Sequence, residues 1–323
     1  MLHLITGGAG FLGSQLANAL VDDGEEVIIV DNLSTGHIRN LERCLSSGRA
    51  TFVYADVVVT ASQLETLLRK AANRKLSRIY HLASPASPEA YGRDPWGTLT
   101  VNSIGTMALI DLALEHKARF LFASTSEIYG DPLVHPQRED YFGNVDPIGP
   151  RSCYDEGKRF GEAATAAAAR VRGLDARVVR FFNCYGPCMD VADGRLIPEL
   201  IDAIRNERPM PIHGDGSQTR SMTFVDDALS LLRIVMEHPM RQLLPVNIGS
   251  DDERTVEEIA RALARVAGVE FRAKHLPARE GDPQRRRPDL SRAKSLGWSP
   301  STPLDEGLRI TYRWFTEERL AFA

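Results

Sequence analysis

Residues 6–13, Thr6-Gly7-Gly8-Ala9-Gly10-Phe11-Leu12-Gly13, constrain the fold more than any other stretch of this chain. They follow an apolar run from Leu2 to Ile5 and open a helical pattern from Phe11 to Asp23. A strand that turns this sharply into a helix needs positions without Cβ, which Gly7, Gly10 and Gly13 supply. The helix N-terminus then presents free N–H groups to an anion.

The same alternation continues downstream. Strand-like runs occupy Glu26 to Val30, Thr51 to Tyr54, Arg78 to Leu82 and Arg119 to Ala123, with helix-length segments at Ala61 to Asn73 and Thr98 to His116. Strands separated by such helices predict right-handed crossovers and an α/β, doubly wound parallel sheet of the Rossmann type. Residues 1–185 read as the dinucleotide-binding domain, including a helix from Tyr154 to Val171. Residues 186–323 read mainly as a smaller C-terminal α/β substrate-binding lobe, with some chain returning to the first domain; short strands are expected at Pro211 to His213 and Val246 to Ile248. Phe224-Val225-Asp226-Asp227 is expected to start a helix capped by Asp226.

Composition excludes several classes. The 39 basic and 43 acidic residues nearly cancel, so no electrostatic case arises for nucleic acid. No apolar run reaches the ~20 residues that span a bilayer, and the N-terminus shows no export signal. Cys44, Cys153, Cys184 and Cys188 form no CxxC pair or zinc-ligand cluster, so no metal is expected, and the reading is of a cytoplasmic protein with reduced thiols.

The glycine turn implies a dinucleotide, and Asp31 selects among dinucleotides. It ends the second strand eighteen residues beyond Gly13, where a carboxylate accepts from ribose hydroxyls. A 2′-phosphate would be repelled there, and Asn32 offers no cation, which favours NAD over NADP. Asp56 and Val57 after the third strand suit the adenine. Leu82, Ala83 and Ser84 at the end of the fourth strand, with Asn102 in the helix pattern beyond, are assigned to the same groove.

Tyr154 and Lys158 stand four apart on one helix face. A phenol of pKa about 10 is a poor base at neutral pH, but a neighbouring ammonium and a cationic nicotinamide favour the phenolate. Thr125, just after the fifth strand, is placed to hold the reacting oxygen beside Tyr154.

These residues together resemble the extended short-chain dehydrogenase/reductase family. Longer strings are more specific: HLASPASP at 81–88, STSEIYGDP at 124–132, PIGPRSCYDEGK at 147–158, GSQTR at 216–220 and DPQRRRP at 282–288. They resemble the UDP-glucuronic acid decarboxylases (UDP-xylose synthases), over residues 2 to about 315. The resemblance implies a cycle in which Tyr154 takes the C4 hydroxyl proton while NAD takes the hydride. The ketone so formed lies β to the C6 carboxylate, which leaves as CO2 because an enolate can form; protonation at C5 and return of the hydride give UDP-xylose. It also implies that Ser84, Pro85, Ser87, Asn183, Arg195, Arg220 and Arg287 bind the sugar nucleotide. Of the run Arg285 to Arg287, Arg287 is the expected contact. A homodimer formed through helices near 98–116 and 154–173 is expected as well.

Ser126 and Glu127 distinguish this reading from its alternatives. Nucleotide-sugar 4,6-dehydratases typically carry Asp-Glu here, whereas Ser126 suits a substrate carboxylate. Glu127 either manages protons at C5 or presses like charge against the departing carboxylate. A UDP-hexuronate or UDP-hexose 4-epimerase and a 4,6-dehydratase are the competing enzyme readings; a catalytically silent dinucleotide-binding scaffold is the reading from another class. One departure stands out: the family commonly has arginine where this chain has Cys188. Loss of a cation there implies that UDP-4-keto-xylose escapes as a second product.

Overall fold

The computed structural model describes residues 1–239, 242–279 and 283–318. Seven parallel strands form its central sheet: β1 (Leu2–Thr6), β2 (Glu26–Asp31), β3 (Ala50–Tyr54), β4 (Arg78–His81), β5 (Arg119–Thr125), β6 (Ala176–Phe181) and β7 (Val246–Ile248). Their spatial order is β7-β6-β5-β4-β1-β2-β3. Strand order therefore reverses between β1 and β4, and a crevice opens at their carboxyl ends, where Thr6 pairs with both Val30 and His81.

Side-chain alternation explains why helices cover both faces. Ile5, Val27, Ile29, Leu121 and Val179 enter one apolar cluster, while Leu4, Ile28, Phe120, Phe122 and Val178 enter another. Successive residues point to opposite sides, so strands this apolar must be buried twice. The first helix, Phe11–Asp22, and the helix Val225–Glu237 lie on the first face.

On the second face a helical stretch runs from Pro95 to His116, with a π-type turn at Val101–Gly105. It starts earlier than the apolar pattern suggests because Asp94 caps it, accepting from Gly97 N at 2.8 Å, and Pro95 fills the first turn. This helix is long and apolar enough to cross a membrane by length and composition, but half of its most apolar window is buried against the fold. Beside it lies the helix Ser152–Arg172, which ends at Gly173 with φ +73°.

Beyond β6 the chain makes small sheets. Thr219–Ser221 pairs antiparallel with Glu253–Thr255 and parallel with Arg285–Arg286. Residues 225–248 return to the main sheet as a helix and β7. Asp226 is not the cap expected from sequence: Phe224 occupies that position, and Asp226 lies inside the first turn. Asp227 instead is buried and accepts from Ser301 N, Ser301 Oγ and Thr302 N.

Candidate active site

The glycine turn is built for close backbone approach. Gly7 adopts φ +71°, and a Cβ there would lie 2.6 Å from the backbone of Ala83. At Gly13 a Cβ would collide with the carbonyl of Gly7. Gly10 caps the first helix without a side-chain hydrogen bond, and the first turn carries no acid, so its N–H groups suit a pyrophosphate. Asp31 is buried and accepts from Ala9 N at 2.9 Å and Leu33 N at 2.7 Å. Burial raises its carboxyl pKa, and those two amides oppose the rise. Asn32 donates to Asp56 at 2.8 Å, and Val57 closes against Gly105.

Across the crevice, Leu82 N continues the pairing with Thr6 O, and Ser84 accepts from Asn102 Nδ2 at 2.9 Å. Asn102 sits in the π-type turn, and its buried Oδ1 has no hydrogen-bond partner among the described residues. Phe11 and Leu12 open the first helix, with the Arg195 guanidinium 5.8 Å from the Phe11 ring. These residues fit a dinucleotide: an uncapped helix end, a cradle that side chains would fill, and an amide oxygen awaiting a donor.

The acid–base residues meet at the end of β5. The Thr125 hydroxyl hydrogen-bonds the buried Tyr154 phenol and also accepts from Glu127 N at 3.2 Å. Lys158 Nζ lies 5.8 Å from the Tyr154 ring and donates to Ala123 O at 2.8 Å. Burial lowers the lysine pKa to about 7, with Glu162 opposing the shift. Burial also drives the phenol far above its ordinary range, against the Thr125 hydrogen bond. The protein alone therefore holds Tyr154 neutral, and a positive charge arriving nearby is needed to make it a base. Tyr91 stacks on Tyr154, with ring centroids 5.3 Å apart and planes 10° from parallel.

Next to this pair lies a charged cluster that sequence spacing did not reveal. Glu127 follows buried Ser126 and forms ion pairs with Arg151 and with Arg286, the latter at 2.7 Å. Burial pushes the Glu127 carboxyl up, but Arg286, Arg151 and Arg220 together bring it below its ordinary value. Arg151 is also within 3.9 Å of Asp155, the residue after Tyr154.

Within the arginine run the three side chains are engaged differently. Arg286, rather than Arg287, reaches Glu127; Arg285 lies 3.5 Å from Glu253. Arg287 O accepts from Gln137 N, Arg287 N donates to the Gln137 side-chain Oε1 at 2.8 Å, and the buried Arg287 Nε has no partner among the described residues. Asp282, in the same string, lies outside the described residues.

Other expected substrate residues are differently engaged. Arg220 is buried and donates to Thr219 O and Pro283 O. Arg195 pairs with Asp193 at 2.5 Å. Asn183 presents a buried Oδ1 with no hydrogen-bond partner among the described residues, while its backbone oxygen accepts from Thr223 N. Ser84 donates to Pro85 O, which ties those two residues into one turn. Ser87 caps the helix Pro88–Arg93 by accepting from Ala90 N at 3.3 Å, which leaves its own O–H to donate. No group of three or more potential metal ligands occurs among the described residues.

A model of the NAD dependent epimerase/dehydratase family matches residues 3–249. The chain belongs to this family. Among curated members, UDP-glucuronic acid decarboxylase 1 of Danio rerio is 43% identical over 316 residues, covering 98% of this chain and 72% of that protein. UDP-glucuronic acid decarboxylase 3 of Arabidopsis thaliana is 42% identical over 313 residues, covering 96% and 87%. Similar solved members include UDP-glucose 4-epimerase of Thermotoga maritima with UDP-glucose, at TM-score 0.88 and 30% identity over the whole of both chains. UDP-glucuronic acid 4-epimerase of Bacillus cereus, in complex with UDP-glucuronic acid and NAD, has TM-score 0.85 and 26% identity, covering 99% of this chain and 100% of that one.

Proposed function

We propose that this protein is an NAD-dependent UDP-glucuronic acid decarboxylase that forms UDP-xylose. The observation that carries the reading is the placement of Ser126, Glu127 and two guanidiniums against the Thr125–Tyr154 pair. A sugar whose C4 hydroxyl reaches Tyr154 then has its C6 carboxylate near Ser126 and Arg286. NAD held in this groove would supply the hydride acceptor at C4 and, at the end of the cycle, the hydride donor.

Thr125 orients the C4 oxygen and Tyr154 accepts its proton. Glycine positions 7, 10 and 13, Phe11 and Leu12 would hold the dinucleotide phosphates; Asp31, Asn32, Asp56 and Val57 would hold its adenosine; Leu82, Ala83, Ser84 and Asn102 would serve its nicotinamide end. With a ketone at C4, the electrons of the C5–C6 bond pass into an enolate as CO2 departs. Arg151 and Arg286 spread the charge of the ionised Glu127, which weakens electrostatic expulsion of the carboxylate; C5 then takes its proton from water, which the Glu127 carboxylate can orient as an acceptor. Ser84, Pro85, Asn183, Arg195, Arg220 and Arg287 are the proposed sugar-nucleotide contacts.

Incubation with UDP-glucuronic acid, reading CO2 and sugar products together by NMR, tests this assignment. CO2 with UDP-xylose supports it; a C4 epimer retaining C6 would replace it with an epimerase. Cys188, at φ +67°, replaces a flexible cation with a short thiol. We retain the proposal that UDP-4-keto-xylose escapes, and its absence from the product spectrum would reject that part.

The helices Pro95–His116 and Ser152–Arg172 leave Ile104, Met107, Phe160 and Val171 exposed, which supports dimerisation through this face. Among the described residues Cys44, Cys153 and Cys184 are thiols outside any disulfide, which supports a reducing cytoplasm.

A further inference from the structure

Asp155 directly follows the acid–base tyrosine, yet nothing above gives it a task. It is 6% exposed, and its Oδ1 has no hydrogen-bond partner among the described residues. Oδ2 lies 3.9 Å from Arg151, which also holds Glu127, while Arg286 grips Glu127 from another strand. Two carboxyl groups and two guanidiniums are thus withdrawn together from solvent. The groups facing Asp155 are Tyr154 and Glu156 of its own helix, Arg151 at that helix's N-cap, and Glu127 of the turn Ser126–Tyr129. Arg286 of the strand Arg285–Arg286 and Tyr91 of the helix Pro88–Arg93 complete its surroundings.

We propose that Asp155 holds a proton whenever the substrate carboxylate is bound, so that binding of UDP-glucuronic acid takes up a proton at this residue. The inference rests on the decarboxylase reading. With both acids ionised, Glu127 and Asp155 place two negative charges in this buried cluster, and an incoming carboxylate adds a third beside them. With Asp155 neutral, one of those charges is removed, and Arg151 has one carboxylate fewer to balance when it meets the substrate carboxylate. A neutral carboxyl also tolerates an unpartnered buried oxygen better than a carboxylate does. Burial and then the Glu127 charge already push the Asp155 carboxyl up to about 7, against Arg151 and Arg286. A further carboxylate moves it in the same direction. Once CO2 has left, the reason for the proton has left too. Asp155 is therefore a positioning residue: it acts through the arginines and keeps them available to the substrate.

Calorimetric titration at pH 8, in two buffers of different ionisation enthalpy, counts the protons. The NAD-loaded Tyr154→Phe enzyme is used so that no turnover intrudes, with UDP-glucuronic acid and UDP-xylose compared. Uptake of most of one proton with UDP-glucuronic acid and none with UDP-xylose is expected. Lys158 titrates in the same window, but it faces both ligands alike. Asp155→Asn in that background should abolish the uptake while leaving UDP-xylose affinity within about twofold, which also reports an intact fold. If that variant does not fold, the two-ligand comparison in its parent decides. No uptake, equal uptake with both ligands, or uptake that survives Asp155→Asn overturns the proposal. CO2 release by the unsubstituted enzyme, measured separately, shows whether the decarboxylase reading survives.

Discussion

Lys158 is a buried ammonium whose partner in the protein is a backbone carbonyl, Ala123 O at 2.8 Å. Its pKa of about 7 in the fold lies below the ordinary lysine value of 10.5. Between those values the unfolded chain binds more protons, so this residue's destabilising contribution is full below about pH 7 and fades as pH rises toward 10.5. Lys158→Met should therefore raise the melting temperature of the dinucleotide-free protein by a few kelvin at pH 7, and by progressively less toward pH 10. The same variant should lose most turnover of UDP-glucuronic acid. Tyr154→Phe should lower kcat by about 10²–10⁴ without that stability gain, as measured by CO2 release and thermal melting. A lysine that served only packing would show neither the opposed effects nor their pH dependence.

At the scale of elements, the glycine turn and the helix caps are locally encoded and fail differently. Gly13→Ala drives a methyl group onto the Gly7 carbonyl, between β1 and the first helix. The strand and helix must separate, so dinucleotide affinity should fall at least about tenfold (~1.4 kcal/mol), measured by calorimetric titration with NAD. Thr255→Ala is the contrasting case. Thr255 and Glu258 form a reciprocal cap on the helix Val256–Ala267, remote in sequence from the acid–base residues. Its loss should cost about 1 kcal/mol in a urea titration and leave kcat unchanged. The boundary that sequence misjudged was also local chemistry: Asp94 and Pro95 begin their helix one turn before the apolar periodicity does. The π-type turn carrying Asn102 has no periodic signature, since it is one extra residue accommodated between packed neighbours.

The whole molecule is joined across its halves by one polar network. Arg180 on β6 pairs with Glu162 of the helix Ser152–Arg172 and donates to Tyr129 Oη at 2.9 Å. Tyr129 donates to Asn247 on β7 at 2.8 Å, and Asn247 Nδ2 donates to Gln137 O and Asp289 O. Gln137 in turn accepts from Arg287 N, which fixes the segment that delivers Arg286. Tyr129→Phe leaves buried polar groups unmatched on both sides and should cost about 1–3 kcal/mol in chemical denaturation. If the network positions Arg286, the variant should also raise KM for UDP-glucuronic acid more than it weakens UDP-xylose binding.

Sequence by itself determined the parts of this protein that neighbours along the chain complete. A strand, three glycines and a helix make an anion-binding turn whatever follows, and two residues four apart on a helix share a face. Tertiary structure alone decided the surroundings of Glu127. Its partners Arg151 and Arg286 are 24 and 159 positions away, and no local period links them. The choice of Arg286 over its neighbours follows from register: Arg286 pairs with Arg220 and Arg285 with Thr219, so consecutive guanidiniums point to opposite faces. A one-residue slip would have turned another arginine inward, and only the packed strands forbid it.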